Sequence, residues 1–156
     1  MLSTLKTNYP LYLIEAWALG MFMLSATFFA GLIGLRGWVA DPLARGCLMG
    51  LAMGLTAVGL IYSAWGRRSG AHMNPAVTLS FLFLKKINPR DAAWYILFQC
   101  LGGATAMLLF KAAFPGFAGA PEVNYVQTLP GKAGIGAAFA AEFALSFGLF
   151  LPVLYS

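Results

Sequence analysis

Residues 69–78 read SGAHMNPAVT and form a polar stretch between hydrophobic segments. The apolar run that begins inside this stretch, residues 75–84, would as a helix at 1.5 Å per residue reach only about 15 Å. That length is roughly half of a hydrocarbon core about 30 Å thick. Residues 75–84 therefore predict a re-entrant half-helix whose N-terminus stops near the midplane of a membrane.

The composition of the whole chain independently indicates a membrane protein. Of its 156 residues, 60% are hydrophobic and 10% are charged, and the mean hydropathy is +0.78. Such a chain has too little polar surface to cover a soluble domain. Four apolar segments have the length of about 20 residues that a spanning helix needs. We therefore predict an all-α membrane protein with one transmembrane domain, residues 1–156, containing one half-helix and four spans at residues 11–33, 46–65, 92–114 and 135–155.

The positive charges of the chain predict its orientation. The net charge is +5, but the basic residues are scattered over short connections, which argues against a nucleic-acid-binding surface. Successive connections lie on alternate sides of the membrane, which places four of the ten basic residues on one side. The other side holds six: Lys6, Arg67, Arg68, Lys85, Lys86 and Arg90. By the positive-inside rule, the side with six is cytoplasmic and holds both termini. The compact connections are typical of a bacterial inner membrane protein.

The start of the half-helix has its own chemistry. Asn74 occupies the predicted N-cap, and Pro75 in the first turn loses no hydrogen bond. In water this would be an ordinary capped helix. In lipid, however, the backbone of residues 70–73 must be buried by protein or face a watery cavity. Unwound carbonyls, the Asn74 amide and the positive end of a half-helix dipole would bind water or hydroxyl groups and repel cations.

These residues resemble the major intrinsic proteins, the family of aquaporins and glycerol facilitators. Residues 69–78 look like the first Asn-Pro-Ala box of that family with its flanks. Further matches are Gln99 with Gly102 and Gly103, and Ala141-Glu142-Phe143 with Ser146. The resemblance implies an aquaporin-like bundle that passes water or small neutral solutes such as glycerol through a lipid bilayer. It also implies a homo-oligomer, a tetramer in the family, without a cofactor.

The resemblance assigns roles to individual residues. Asn74, with Pro75 and Ala76, would donate its side-chain amide to the permeating oxygen. Two glutamates, Glu15 and Glu142, would brace re-entrant loops. The remaining implied residues are Met53, where the family carries an aromatic residue at the narrowest point, and the loop carbonyls of Gly70, Ala71, His72 and Met73.

The resemblance covers only part of the family pattern. The family is built from two inverted repeats, and these residues match the first repeat and the opening span of the second. A second Asn-Pro-Ala box does not occur in the sequence. We therefore expect an incomplete channel that does not conduct alone. The alternative is a non-conducting fragment or assembly subunit that needs a partner chain.

An intramembrane enzyme is the remaining alternative. It would pair His72 with a nucleophile such as Ser69, but His72 is the one histidine of the chain, and the sequence supplies few partners for a catalytic or metal site. We therefore expect no enzyme activity and no metal. Cys47 and Cys100 fall inside predicted spans and are interpreted as packed side chains, not as a disulfide.

Overall fold

Helices make up nearly all of the computed structural model, which describes residues 2–35, 37, 39–127 and 129–155. These residues contain seven α-helices and one 3-10 turn, Asn124–Val126. The helices are α1 (Leu2–Gly34), α2 (Pro42–Tyr62), α3 (Ala64–Ser69), α4 (Pro75–Phe83), α5 (Pro89–Ala113), α6 (Pro115–Ala118) and α7 (Gly134–Tyr155). The prediction of an all-α membrane fold is confirmed.

Four of the described helices are long and apolar enough to cross a membrane. These segments are Thr4–Gly34, Pro42–Tyr62, Pro89–Ala113 and Gly134–Leu151. The half-helix is α4, whose nine residues reach only about 14 Å at 1.5 Å per residue. The chain is therefore a multi-pass membrane protein in which α4 is too short to span.

The helix ends differ from the predicted spans where capping decides them. α2 begins at Pro42, four residues before the predicted start, because the Asp41 carboxylate accepts a hydrogen bond from the Ala44 amide at 2.8 Å. It ends at Tyr62, since Ser63 is extended and its hydroxyl caps Gly66 at 2.9 Å to start α3. α1 extends back to Leu2 and contains Pro10, which we expected to precede the span.

Contacts divide the described residues into two units, one ending at Val126 and one beginning at Gln127. The second unit contains α7, whose residues from Ala140 to Leu149 are exposed. In the first unit, α1 and α5 pack closely because small residues line the contact. A Cβ atom at Gly102 would collide with the Ala16 carbonyl, and one at Gly20 would lie 3.3 Å from the Gly102 oxygen.

The glycines of α2 behave differently from those of α5. Gly46, Gly50 and Gly54 recur every four residues, a spacing that predicts close helix packing. Among the described residues, no heavy atom outside α2 lies within 4 Å of a Cβ built at any of the three. The small residues of α5 thus mark a close contact with α1. The three glycines of α2 face no other described helix within the first unit.

Candidate functional site

The site is the turn that joins α3 to the half-helix α4. α3 ends because Gly70 adopts φ +90°, a left-handed conformation that glycine takes without steric cost. Ala71 and Met73 also have positive φ angles, of 46° and 49°. Left-handed backbone costs roughly 1–2 kcal/mol for each such residue, so surrounding contacts must hold this loop in place.

Those contacts converge on the carboxylate of Glu15, which is completely buried in α1. Its Oε1 accepts hydrogen bonds from the Ser69 hydroxyl at 2.7 Å and the His72 amide at 3.1 Å. Its Oε2 accepts from the Met73 amide and the Gln99 side chain, each at 2.8 Å. A carboxylate is acceptor-only, with about four lone-pair positions. The four donors therefore match its capacity, and Glu15 ties the loop to α1 and α5.

A second set of hydrogen bonds connects this carboxylate to the half-helix. Gln99 Nε2 also donates to the Thr78 hydroxyl at 3.1 Å. That hydroxyl lies 3.2 Å from the Asn74 carbonyl oxygen and 3.1 Å from Nδ1 of His72. Both Gln99 and Thr78 are completely buried. The start of α4 is thus fixed from inside the protein.

His72 packs within this network. Its ring stacks on Phe81 with the centroids 4.7 Å apart. An imidazole that contacts both Thr78 and Phe81 can brace the loop. The described residues contain no group of three or more His, Cys, Asp or Glu that could hold a metal.

Further polar side chains lie on α1 and α5 on the N-terminal side of Glu15 and Gln99. Asp91 Oδ1 accepts hydrogen bonds from the Tyr12 hydroxyl at 2.6 Å and the Asn8 amide at 3.0 Å. One turn along α5, the Tyr95 hydroxyl donates to the Ser69 carbonyl oxygen at 2.7 Å. A polar seam therefore runs between two apolar helices, formed by Asn8, Tyr12 and Glu15 on α1 and Asp91, Tyr95 and Gln99 on α5.

Asn74 is the N-cap of α4. Its Oδ1 accepts a hydrogen bond from the Ala76 amide at 2.8 Å, with Pro75 in the first turn. Among the described residues Nδ2 has no hydrogen-bond partner, and the Asn74 side chain is exposed. Asn74 therefore keeps a free amide donor at the positive end of the half-helix dipole.

The two remaining predicted side chains are Met53 and Glu142. Met53 is half-buried on α2, and none of the hydrogen bonds described around Glu15, Thr78 and Asp91 involves that helix. Glu142 is exposed on α7, in the second unit. Of the predicted site residues, Glu15, the loop residues 70–73 and the motif residues 74–76 are brought together in the first unit.

Tyr95 and Thr78 are contributors that reasoning from the sequence did not single out. Tyr95 lies four residues before Gln99, and Thr78 lies four residues after Asn74. Residues four apart share a face of a helix. The spacing of four residues from Gln99 or Asn74 was therefore the signal in the sequence that could have identified these two side chains. The sequence alone does not say which helix the shared face contacts.

Comparison with known proteins identifies the family. The model of the family described as Major intrinsic protein matches residues 12–156. The chain belongs to the major intrinsic protein family. The predicted resemblance is thereby confirmed. No solved structure gives a significant match.

Curated relatives of this major intrinsic protein include both named classes of the family. The chain is 37% identical to Glycerol uptake facilitator protein-like 6 of Lactiplantibacillus plantarum over 136 residues, which are 87% of this chain and 58% of the relative. It is 44% identical to Aquaporin AqpM of Methanothermobacter thermautotrophicus over 78 residues, 50% of this chain and 30% of the relative. The chain thus spans less than two thirds of the length of these relatives.

Proposed function

We propose that residues 69–78 form part of the wall of a passive channel for water or small neutral solutes such as glycerol. The observation that carries this proposal is the half-helix start, where Asn74 keeps a free side-chain amide next to a strained loop whose amides bond to a completely buried carboxylate. Family membership supports it, because relatives carry the names aquaporin and glycerol uptake facilitator. No chemical step and no cofactor are part of this function.

The proposed mechanism uses one donor and a row of acceptors. Asn74 Nδ2 donates to the oxygen of the permeating molecule, while the carbonyls of residues 70–73 accept its hydrogen atoms. The N-terminus of α4 carries about half a positive charge from the helix dipole. A cation at this point is therefore repelled, whereas a neutral hydroxyl compound exchanges hydrogen bonds and passes.

Other residues have supporting roles in this proposal. Glu15 braces the loop before α4, and Glu142 braces a corresponding loop, as the family resemblance implies. Met53 lines the narrowest part of the conduit and contributes an apolar side chain where the family carries an aromatic ring. The functional protein is a homo-oligomer in a bacterial inner membrane, with both termini in the cytoplasm.

Vesicle swelling and shrinkage test the channel function. The product of the complete native gene is reconstituted into proteoliposomes, and light scattering follows volume change after osmotic jumps with sucrose or glycerol. We expect shrinkage faster than in empty vesicles, with a low activation energy. Equal rates in loaded and empty vesicles would exclude a water channel, and the glycerol jump decides between the two classes of permeant.

Cysteine accessibility tests the proposed orientation. Cys47 and Cys100 are replaced by Ala, and single substitutions Lys86→Cys and Lys132→Cys are labelled in intact cells with an impermeant maleimide. The proposal expects labelling at position 132 and protection at position 86. Strong labelling at position 86 would contradict cytoplasmic termini.

A further inference from the structure

The last carbonyl of α3 has an unusual hydrogen-bond partner. The final carbonyls of an α-helix have no donor within the helix, and here the Gly70 amide bonds to Gly66 at 2.9 Å. Ser69 is 7% exposed, and its carbonyl oxygen instead accepts a hydrogen bond from the Tyr95 hydroxyl at 2.7 Å. Tyr95 lies on α5 and is itself 5% exposed. A spanning helix thus holds the backbone at the point where the loop begins.

Ser69 passes this restraint to the rest of the loop. Its hydroxyl donates to Glu15 at 2.7 Å and accepts the Ala71 amide at 3.1 Å. The carbonyl and the hydroxyl of Ser69 therefore bond to three residues outside α3, which are Tyr95, Glu15 and Ala71. A shift of the Ser69 backbone would weaken the contact to Glu15 and the contact to Ala71 together.

Tyr95 also contacts the loop through its ring. The centroids of Tyr95 and His72 are 5.2 Å apart. The Tyr95 hydroxyl thus restrains the start of the loop at Ser69, and the Tyr95 ring restrains His72, three residues further along. These two contacts enclose Ala71, which has a positive φ angle of 46°.

We propose that Tyr95 is a positioning residue of the channel, which acts through the Ser69 carbonyl to hold residues 70–73 in their strained conformation. The inference rests on the proposed function only for its effect on permeation. Loss of the hydroxyl leaves a buried carbonyl without a donor, which favours local opening of the loop. The carbonyls of residues 70–73 then lose their fixed direction.

A matched pair of tyrosine variants tests this role. Tyr95→Phe and Tyr12→Phe each remove one hydroxyl from a buried ring at the same α1–α5 contact, and the two rings lie 5.7 Å apart. The Tyr12 hydroxyl, however, donates to Asp91 and not to the loop. Hydrogen exchange of the 156-residue chain in detergent is read at single-residue resolution, and each variant is compared with the unchanged chain.

Exchange at the amides of Ala71, His72 and Met73 decides the proposal. In Tyr95→Phe we expect it to rise about five- to tenfold, the effect of losing one buried hydrogen bond. In Tyr12→Phe it stays within about twofold, since no bond to the loop is lost. Equal effects of the two variants, or no change in Tyr95→Phe, would overturn the proposal. So would a Tyr95→Phe chain that fails to fold while Tyr12→Phe folds, because the hydroxyl would then serve overall stability.

Two further measurements extend the test. In the double variant with Ser69→Ala, the effect of Tyr95→Phe at His72 should be smaller than in the unchanged background, since the Ser69 hydroxyl is already lost; full additivity would contradict action through Ser69. In proteoliposomes that hold the complete gene product, Tyr95→Phe should lower water permeability severalfold and Tyr12→Phe should not. If the unchanged protein shows no permeability, the proposed channel fails, but the exchange result still decides the positioning role.

Discussion

Two helices of this protein begin with the same dipeptide, Asn74-Pro75 on α4 and Asn88-Pro89 on α5. In both, the asparagine side chain caps the second amide after it, at 2.8 Å for Asn74 and 2.9 Å for Asn88, with proline in the first turn. The local structures are nearly equivalent, yet the segments before them differ. Asn74 follows a loop whose amides bond to a buried carboxylate, whereas Asn88 follows the turn that contains Lys85 and Lys86.

The comparison separates what sets a helix start from what makes a site. Capping and proline suffice to begin either helix. Only at Asn74 do tertiary contacts hold an irregular backbone beside the cap, and irregular backbone at membrane depth needs such support. The functional assignment therefore depends on the surroundings of the motif more than on its asparagine.

The largest expected effect comes from removing the support at Asn74. Glu15→Gln replaces an acceptor-only group with one that also donates, so at least one of four buried donors loses its partner. We expect the free energy of unfolding in detergent to fall by about 3 kcal/mol.

Glu122→Gln, at an exposed glutamate of the first unit, is the matched control for this prediction. The same chemical change on an exposed residue should alter the free energy of unfolding by less than about 0.5 kcal/mol. Similar losses in the two variants would contradict the claim that Glu15 organises the first unit. Hydrogen exchange gives a second readout for Glu15→Gln. Faster exchange at the amides of residues 71–73, with unchanged exchange at the Arg90 amide, would show that Glu15 supports the start of α4 and not the start of α5.

The close packing of α1 on α5 is expected to make the next largest contribution to the free energy of unfolding. Gly102→Ala places a Cβ against the Ala16 carbonyl, and we expect a loss of about 2 kcal/mol from overpacking. Gly50→Ala on the open row of α2 should leave the free energy of unfolding unchanged or raise it by up to about 1 kcal/mol. Denaturant titrations of the two variants check this, and an equal loss at both positions would show that the α2 row is packed.

A smaller effect is expected at Thr78. Thr78→Val keeps the shape of the side chain and removes the hydroxyl that Gln99 and His72 share, which should cost about 1 kcal/mol. Thr56→Val is the control, because among the described residues the Thr56 hydroxyl bonds to the Ala52 carbonyl of its own helix and to no other helix. If both variants lose the same stability, the bond between α4 and α5 adds nothing beyond a local contact.

Much of this arrangement was predictable from the sequence. The position of the half-helix, its Asn74 cap and the membrane class all follow from local pattern and length. The break between α2 and α3 at Ser63 was missed, because a single serine inside an apolar run gives a weak capping signal. The partners of Tyr95 could not be predicted, since they depend on the register of α5 against α3 and α1.

The two glutamates illustrate the same limit. Both lie in apolar helices, where an ionisable residue is costly and should have a partner. Glu15 has four donors in the first unit, whereas Glu142 has none among the described residues. The sequence identifies which residues need partners, and tertiary contacts decide whether the same unit provides them.

The most direct test of the channel assignment compares Asn74→Asp with Asn88→Asp. Aspartate caps a helix as well as asparagine does, so both variants should keep their stability to within about 0.5 kcal/mol. Only Asn74→Asp puts a negative charge at the proposed conduit, and we expect it to change water permeability or cation leak by about threefold or more. Stopped-flow measurements on proteoliposomes holding the complete gene product decide the question. Unchanged permeability and unchanged cation exclusion in Asn74→Asp, as in Asn88→Asp, would contradict a pore-lining role for residues 69–78.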